Sequence, residues 1–245
     1  MIFLQVMHLF EHKQTLASSQ FFVGFTDVHC HLLPGVDDGI RKMEDCIELL
    51  HLYEQSGVRR VWFTPHIMED IPNSTAGLRE TFESVKSAYR GGIELHLSSE
   101  NMLDSLFDER LRNGDLLTLG SGKLLVETSY FNPPIDMDDK LQAIMSKGLY
   151  PVLAHPERYI YMDMERYRYL HGKGVLFQLN LSSLYGSYGE QAQKKSLKLL
   201  YEGLYDLIGT DVHRISSFEH MLSARLPSKT IRSLDPLTLS NINII

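Results

Sequence analysis

Two cysteines, Cys30 and Cys46, stand in the 245 residues, too few for a disulfide framework. That scarcity excludes a stapled secreted scaffold and makes a reducing, cytoplasmic setting the expectation. No stretch approaches the roughly 18 to 20 apolar residues that a membrane span needs, so no spanning helix is expected. The opening MIFLQVMHLFEHK is apolar but has no basic leading region, contains His8 and offers no small-residue cleavage site after a long enough apolar run; no signal peptide is read there. Basic patches are equally sparse. The net charge is −7, and the densest basic run, Lys194, Lys195 and Lys198, has the spacing of a solvated helix face, which excludes a nucleic-acid partner. Neither internal repeats nor a low-complexity linker interrupt the chain.

What is present is a globular composition, with 43% hydrophobic and 22% charged residues, in a length that suits one large α/β domain. Short β-rich runs alternate with amphipathic helical stretches, and Gly, Pro or Asp marks the switches. The spacing predicts strands over Phe22–His31, Val58–His66, Ile93–Glu100, Leu124–Tyr130, Tyr150–His155, Val175–Leu181 and Tyr205–His213. Helices are predicted around Met43, Cys46, Ile47 and Leu50 before Gly57, around Leu78, Phe82, Val85 and Tyr89, around Leu141, Ile144 and Met145 before Gly148, and over Ala192–Tyr201 before Gly203. The tail LDPLTLSNINII follows no clear period and is left unassigned. Short, mostly apolar strands between helices argue for a parallel sheet, open or closed into a barrel.

Nearly every predicted strand ends in a residue able to bind a metal. The first ends in His29 and His31, the second in His66 after FTP, the third in Glu100 of SSEN and the fourth in Glu127 of LLVETSY. The fifth ends in His155 of LAHPER and the seventh in Asp211 and His213 of GTDVH, while the sixth ends in neutral Asn180. In a parallel barrel these ends share the rim where such folds place their chemistry. Period-2 geometry puts His29 and His31 on one face and Cys30 on the other. Each residue alone has a bland reading as a capping or hydrogen-bonded polar group; their joint position does not. The remaining histidines, His8, His12, His51, His96, His171 and His220, read as surface or core residues.

Eight imidazole and carboxylate ligands exceed what one zinc takes. Two or three ions sharing carboxylate bridges, with Glu100 or Glu127 as the bridge, fit better, and mixed nitrogen and oxygen donors suit Mn, Fe, Zn or Co. A thiol phosphatase would place an arginine six positions after its cysteine. Val36 follows Cys30 at that spacing and Leu52 follows Cys46, so both cysteines read as packed residues.

The motifs DVHCHLLPGVDDG, TPH, ENM, VETSY, AHPERY and GTDVH together resemble the polymerase and histidinol phosphatase (PHP) superfamily. Within it they most resemble the bacterial tyrosine-protein phosphatases linked to capsule and exopolysaccharide synthesis. The similarity runs from about Thr26 to His213, leaving residues 1–25 as a lead segment and 26–245 as one barrel domain. The resemblance implies a distorted seven-stranded (β/α)7 barrel of the TIM type, with its active site at the C-terminal rim of the strands. It further implies up to three divalent metals, often manganese, with magnesium among the alternatives, held by His29, His31, His66, Glu100, Glu127, His155, Asp211 and His213. Hydrolysis of phosphotyrosine, with the tail of a bacterial tyrosine kinase as the protein substrate, is the implied activity. Arg158 of HPER matches the family's phosphate-binding arginine; a second arginine is expected a few residues after the last histidine, where Arg214 follows immediately.

Water activated to hydroxide between two ions would then attack phosphorus in line, without a covalent phosphoenzyme. Arg158 would offset charge on the phosphate oxygens, and Asp211 or His213 could protonate the leaving group. Asp37 and Asp38 read as supporting or turn-forming residues, with Gly39 permitting the bend. A small-molecule phosphoesterase such as a histidinol-phosphate phosphatase, and a metal-stabilised regulatory protein without turnover, are the competing readings.

Overall fold

The computed structural model describes residues 12–244. Its strands are β1 (Lys13–Thr15), β2 (Thr26–Cys30), β3 (Arg60–Phe63), β4 (His66–Ile67), β5 (Glu94–Leu97), β6 (Glu100–Met102), β7 (Lys123–Glu127), β8 (Tyr150–Ala154), β9 (Leu176–Asn180), β10 (Leu207–Gly209) and β11 (Arg225–Pro227). The helices are α1 (Met43–Ser56), α2 (Thr75–Ala88), α3 (Ser105–Asn113), α4 (Met137–Ser146), α5 (Met164–Gly172), α6 (Gly189–Tyr201), α7 (Ile215–Ser223), α8 (Ser228–Arg232) and α9 (Asp235–Ile242). Among the described residues no helix is long and apolar enough to cross a membrane.

Strands β2 to β10 form a curled parallel surface in two sheets, of order β10-β9-β8-β7-β6-β4 and β2-β3-β5. A helix separates most neighbours along the chain, which is the connection parallel pairing requires. Both faces of the strands are apolar, as such a sheet demands. Val61, Phe63, Leu124, Val126 and Leu153 belong to the main core, while the alternating Trp62, Leu125, Val152 and Ala154 form a second cluster on the opposite face. Glu127 shares the face of Leu125, so the inner apolar cluster leads up to the polar rim.

Two of the expected strands are each interrupted. Val58–His66 becomes β3 and β4, because Pro65 has no N–H for a ladder and Thr64 turns its hydroxyl to the backbone of Cys30, accepting from its N–H at 3.0 Å. Ile93–Glu100 becomes β5 and β6 across Ser98 and Ser99. Backbone bonds bridge the breaks, Ser98 N–H to Phe63 O at 2.8 Å and Glu100 N–H to Pro65 O at 3.0 Å, so β3 pairs with β5 and β4 with β6. The first strand also starts later than expected, at Thr26, because the chain turns through Gly24 (φ +78°) just before it. Residues 12–25 are nonetheless built in: β1 pairs antiparallel with β11, and Leu16, Phe22 and Phe25 are buried. Residues 1–11, the first part of the predicted lead segment, with His8, lie outside the described residues.

The predicted helices are present. In α1 the buried side chains are Cys46, Leu49, Leu50 and Tyr53, and Gly57 ends the helix in the left-handed region at φ +97°. Unpredicted α3 and α5 are nine residues each, capped by the carboxylates of Asp104 and Asp163. The tail left unassigned contains α9, whose Asn241 donates to Thr26 O at 2.8 Å and accepts from Ile208 N–H at 3.2 Å.

Strands β2 and β10 meet along a seam made largely by side chains. Asp27 is fully buried there and accepts from Thr210 N–H (3.0 Å), Thr210 Oγ1 (2.6 Å), Tyr53 Oη (3.0 Å) and His29 N–H (3.2 Å). Burial pushes its carboxyl up, against the pull of those donors. Asp27→Ala leaves several buried donors unpaired, so a loss on the order of 3 kcal/mol is expected. Urea unfolding of the metal-free protein measures it; an unchanged midpoint would show that the seam does not depend on Asp27.

Candidate metal centre

The H-x-H pair sits at the end of β2, where alternation sends both imidazoles to the inner face. Cys30 points the other way, its thiol 3.4 Å from Trp62 O in the core. Their Nε2 atoms lie 3.2 Å apart. Glu100 Oε2 lies 3.1 Å from His29 Nε2, 3.3 Å from His31 Nε2 and 3.3 Å from His66 Nδ1. Its other oxygen lies 3.0 Å from His155 Nε2. Asp211 Oδ1 lies 3.4 and 3.3 Å from the same His29 and His31 atoms, and Glu127 Oε1 lies 3.1 Å from His66 Nδ1. All eight side chains picked out by strand position are therefore brought together: His29, His66, Glu100 and Glu127 lie within strands, and His31, His155, Asp211 and His213 stand just past strand ends.

Their donor atoms fall into four overlapping sets, each within 4.8 Å: His29, Glu100 and His155; His29, His31 and Asp211; His66, Glu100 and Glu127; and His31, Asp38, His66 and His213. The last set adds Asp38, whose Oδ1 lies 3.6 Å from His66 Nε2 and 3.4 Å from His213 Nε2. Asp38 was expected as a supporting or turn-forming residue; the folded path of the PGVDDG loop instead swings it over the rim as a donor. Its neighbour Asp37 has the expected supporting place, accepting from His31 Nδ1 at 2.8 Å and from the N–H of His66 and Gly39 at 3.0 Å each. Gly39 is required for space rather than for the bend: a Cβ there would collide with the carbonyl oxygen and Cβ of His31, and the positive φ of the turn belongs to Gly35.

The donor set fits divalent cations. His29 Nδ1 is 2.8 Å from Gln178 Oε1, His31 Nδ1 is held by Asp37, and His213 Nδ1 is 2.9 Å from Asp211 O. With Nδ1 carrying the proton in each, the Nε2 lone pairs are left facing the cluster. His66 Nδ1 and His155 Nδ1 are buried without a hydrogen-bond partner, and His66 Nδ1 lies 3.1 Å from Glu127 Oε1 within one of the donor sets. Electrostatics points the same way. Burial opposes charge on His29, but Glu100 and Asp211 prevail and hold it up at about 9; burial likewise opposes charge on His31 and His66, yet both are raised. Glu100 and Asp211 are held well below the carboxylate range despite burial, chiefly by the charge of His29. The cluster thus calls for positive charge, which protons or metal ions can supply.

Backbone strain concentrates here. His155 (φ +34°) and Asp211 (φ +53°) are two of the three non-glycine residues with positive φ among the described residues. Asp211 N–H donates to His29 O at 2.7 Å, and β10 comes so close to β2 that a Cβ on Gly209 would lie 2.5 Å from that of His29. Asp211 was expected as a possible acid. Its Oδ2 accepts from Arg158 Nη1 at 3.0 Å and Asn180 Nδ2 at 2.7 Å, and the charge of His29 holds its carboxyl low despite burial.

The centre opens into a cleft of about 610 Å³ whose walls include His155, Arg158, Tyr188, His213 and Arg214. Arg158 is mostly buried, and Arg214, exposed, precedes α7; both line the cleft. Of the background histidines, His51 faces Glu54 (3.5 Å), His171 faces Asp206 (3.4 Å), His96 stacks on Trp62, and His12 is exposed. His220, exposed at the surface, also lines the cleft. Gln178, Asn180 and the Tyr130 and Tyr188 rings beside Arg158 were not anticipated, since neutral side chains carry no metal signature.

A curled parallel sheet with histidines and carboxylates converging at the C-terminal ends of its strands defines a protein of the metal-dependent hydrolase class. The chain belongs to the capsular polysaccharide synthesis family CpsB/CapC, whose sequence profile matches residues 25–225. It is 30% identical over 198 residues to the tyrosine-protein phosphatase YwqE of Bacillus subtilis, covering 78% of each chain. The fold is similar to a solved structure from the pair YwqE of Bacillus subtilis and CpsB of Streptococcus pneumoniae, described as metal-dependent tyrosine phosphatases. There the TM-score is 0.73 at 25% identity, over 89% of this chain and 94% of that one. An amidohydrolase from Burkholderia ambifaria with bound zinc shares the fold at a TM-score of 0.52 and 13% identity, over 94% and 87% of the two chains.

Proposed function

We propose that this protein is a metal-dependent protein-tyrosine phosphatase of the cytoplasm, with the tyrosine-rich tail of a kinase in capsule or exopolysaccharide regulation as its substrate. The observation that carries the reading is a permanent cation, Arg158, in the same cleft as a buried nitrogen and oxygen donor set, while both thiols are buried away from it. Relatives named as tyrosine-protein phosphatases support the substrate class. We read the interrupted strands as seven stations of a distorted (β/α)7 barrel, and residues 26–245 as its domain with residues 12–25 as an integral strap. The eight predicted side chains, with Asp38 as a ninth, would hold two to three divalent ions, manganese first among Mn, Fe, Zn, Co and Mg.

When bound, such ions polarise phosphoryl oxygens and bring the pKa of water down toward neutrality. The chain's own residues do the rest. Gln178 and Asp37 lock the tautomers of His29 and His31, so these imidazoles present lone pairs and no proton. Arg158 uses one N–H on Asp211 and keeps the rest of its fork for phosphate oxygens, where it offsets charge that grows in the transition state. Arg214, exposed in the same cleft, would meet the substrate from the solvent side. The leaving phenolate has a parent pKa of about 10 and departs with little proton assistance, which Asp211 or His213 would supply.

Phosphate release from phosphotyrosine peptides tests the reading. Turnover is expected with Mn and lost after chelation; equal rates after chelation would overturn the metal mechanism. A clear preference for alkyl phosphates over aryl and peptide phosphates would move the protein to the small-molecule phosphoesterases.

A further inference from the structure

Arg158 is held between two aromatic faces. Its guanidinium carbon lies 4.2 Å from the centre of the Tyr130 ring and 4.1 Å from that of Tyr188. The two rings come from separate parts of the chain, Tyr130 from the loop after β7 and Tyr188 from the residue preceding α6. Each is tied to the site independently. Tyr130 O accepts from Ile160 N–H at 2.9 Å, joining its loop to the one that carries Arg158, and Tyr188 Oη accepts from Asn180 Nδ2 at 3.2 Å. Asn180 in turn donates to Asp211, the carboxylate that Arg158 touches.

An arginine beside a buried carboxylate would be expected to close on it as a bidentate pair. Here only Nη1 donates to Asp211. With a ring centre within 4.2 Å of its central carbon from each of two segments, the guanidinium has little freedom to turn a second N–H onto Asp211, and its remaining N–H groups are kept for a ligand. We propose that Tyr130 and Tyr188 are positioning residues that clamp Arg158 edge-on for a phosphoryl group. The proposal rests on the reading of the site as a phosphate-ester centre. The rings act through their π-faces on a planar cation, which a lysine could not offer them.

A double-mutant cycle tests the clamp, with inorganic phosphate as the probe, measured by calorimetric binding to the manganese-loaded protein and as product inhibition of aryl phosphate turnover. Tyr130→Leu and Tyr188→Leu are each expected to weaken phosphate binding roughly tenfold, the range of a desolvated cation–π contact, and to raise KM more than they lower kcat. Metal content, measured alongside, should stay near the wild-type value: the Tyr130 ring packs 5.7 Å from that of His155 and Tyr188 Oη reaches Asp211 Oδ2 only at 3.5 Å, while Glu100 and Asn180 hold those two side chains more closely. Tyr130→Phe and Tyr188→Phe should recover most of the loss, since they keep the ring. In an Arg158→Ala background the leucine substitutions should change phosphate binding less than about twofold, because the group they position is gone. A tenfold loss that persists in that background, or phenylalanine variants that fail to recover, would overturn the clamp. Wild-type protein without aryl phosphate turnover would instead overturn the function reading, and the phosphate-binding cycle would still report on the clamp.

Discussion

Glu100→Gln is expected to cut phosphotyrosine turnover by about 10³-fold, on the order of 4 kcal/mol of transition-state stabilisation, and to lower the metal content of the purified protein. Glu100 is the hub of the centre. It is fully buried, and its two oxygens reach His29, His31 and His66 on one side and His155 on the other, all within 3.3 Å. It therefore belongs to two of the four donor sets at once. Glutamine keeps the shape but turns one acceptor into an N–H donor and removes the charge that balances the surrounding imidazoles. The fold is expected to survive, because those imidazoles can shed their protons when their counter-charge is lost. Elemental analysis together with kcat at saturating Mn measures the effect. Full metal content with full turnover would remove Glu100 from its bridging place. Glu127→Gln should do less, since Glu127 meets only His66 at 3.1 Å and His155 at 3.9 Å.

The centre was legible in the sequence for a geometric reason. Parallel strands bring their C-terminal ends to one rim, and period-2 alternation then decides which side chains converge, so His29, His31, His66, Glu100, Glu127, His155, Asp211 and His213 could be picked by position alone. The features that escaped depend on events with no periodic signal. The breaks at Pro65 and at Ser98–Ser99 arise because the curl moves pairing from one sheet to the other. Asp38 reaches the rim only through the path of a loop whose tightest constraint, the space left at Gly39, is a contact across the turn. Asn180 and Gln178 support Asp211 and His29 through ordinary side-chain amide hydrogen bonds, and the low carboxyl of Asp211 follows from neighbours on several different elements. The short helices α3 and α5 carry too few apolar positions for a period to show, although Asp104 and Asp163 were there as caps. In the tail, α9 is specified less by its own pattern than by Asn241 stitching β2 to β10.

Arg158→Ala is expected to lower kcat/KM for phosphotyrosine peptides by about 10²- to 10³-fold, the effect of removing one strong donor from a developing phosphoryl charge. Arg158→Lys should recover less than about tenfold of that loss, because an ammonium offers a point charge where the site holds a planar fork between two rings. The competing explanation is indirect: Arg158 also donates to Asp211, so its removal could act by loosening a metal ligand. The two readings separate on metal content. Asp211 keeps the 2.7 Å bond from Asn180 and the proximity of His29 and His31, so an alanine at 158 should leave metal content and the salt of the centre unchanged while weakening inhibition by inorganic phosphate. If metal content falls in step with turnover, and phosphate inhibition of the reloaded enzyme is normal, Arg158 holds Asp211 and does not meet the substrate. If phosphate inhibition weakens at full metal content, the arginine faces the phosphoryl group, and its ion pair with Asp211 serves to hold that edge in place.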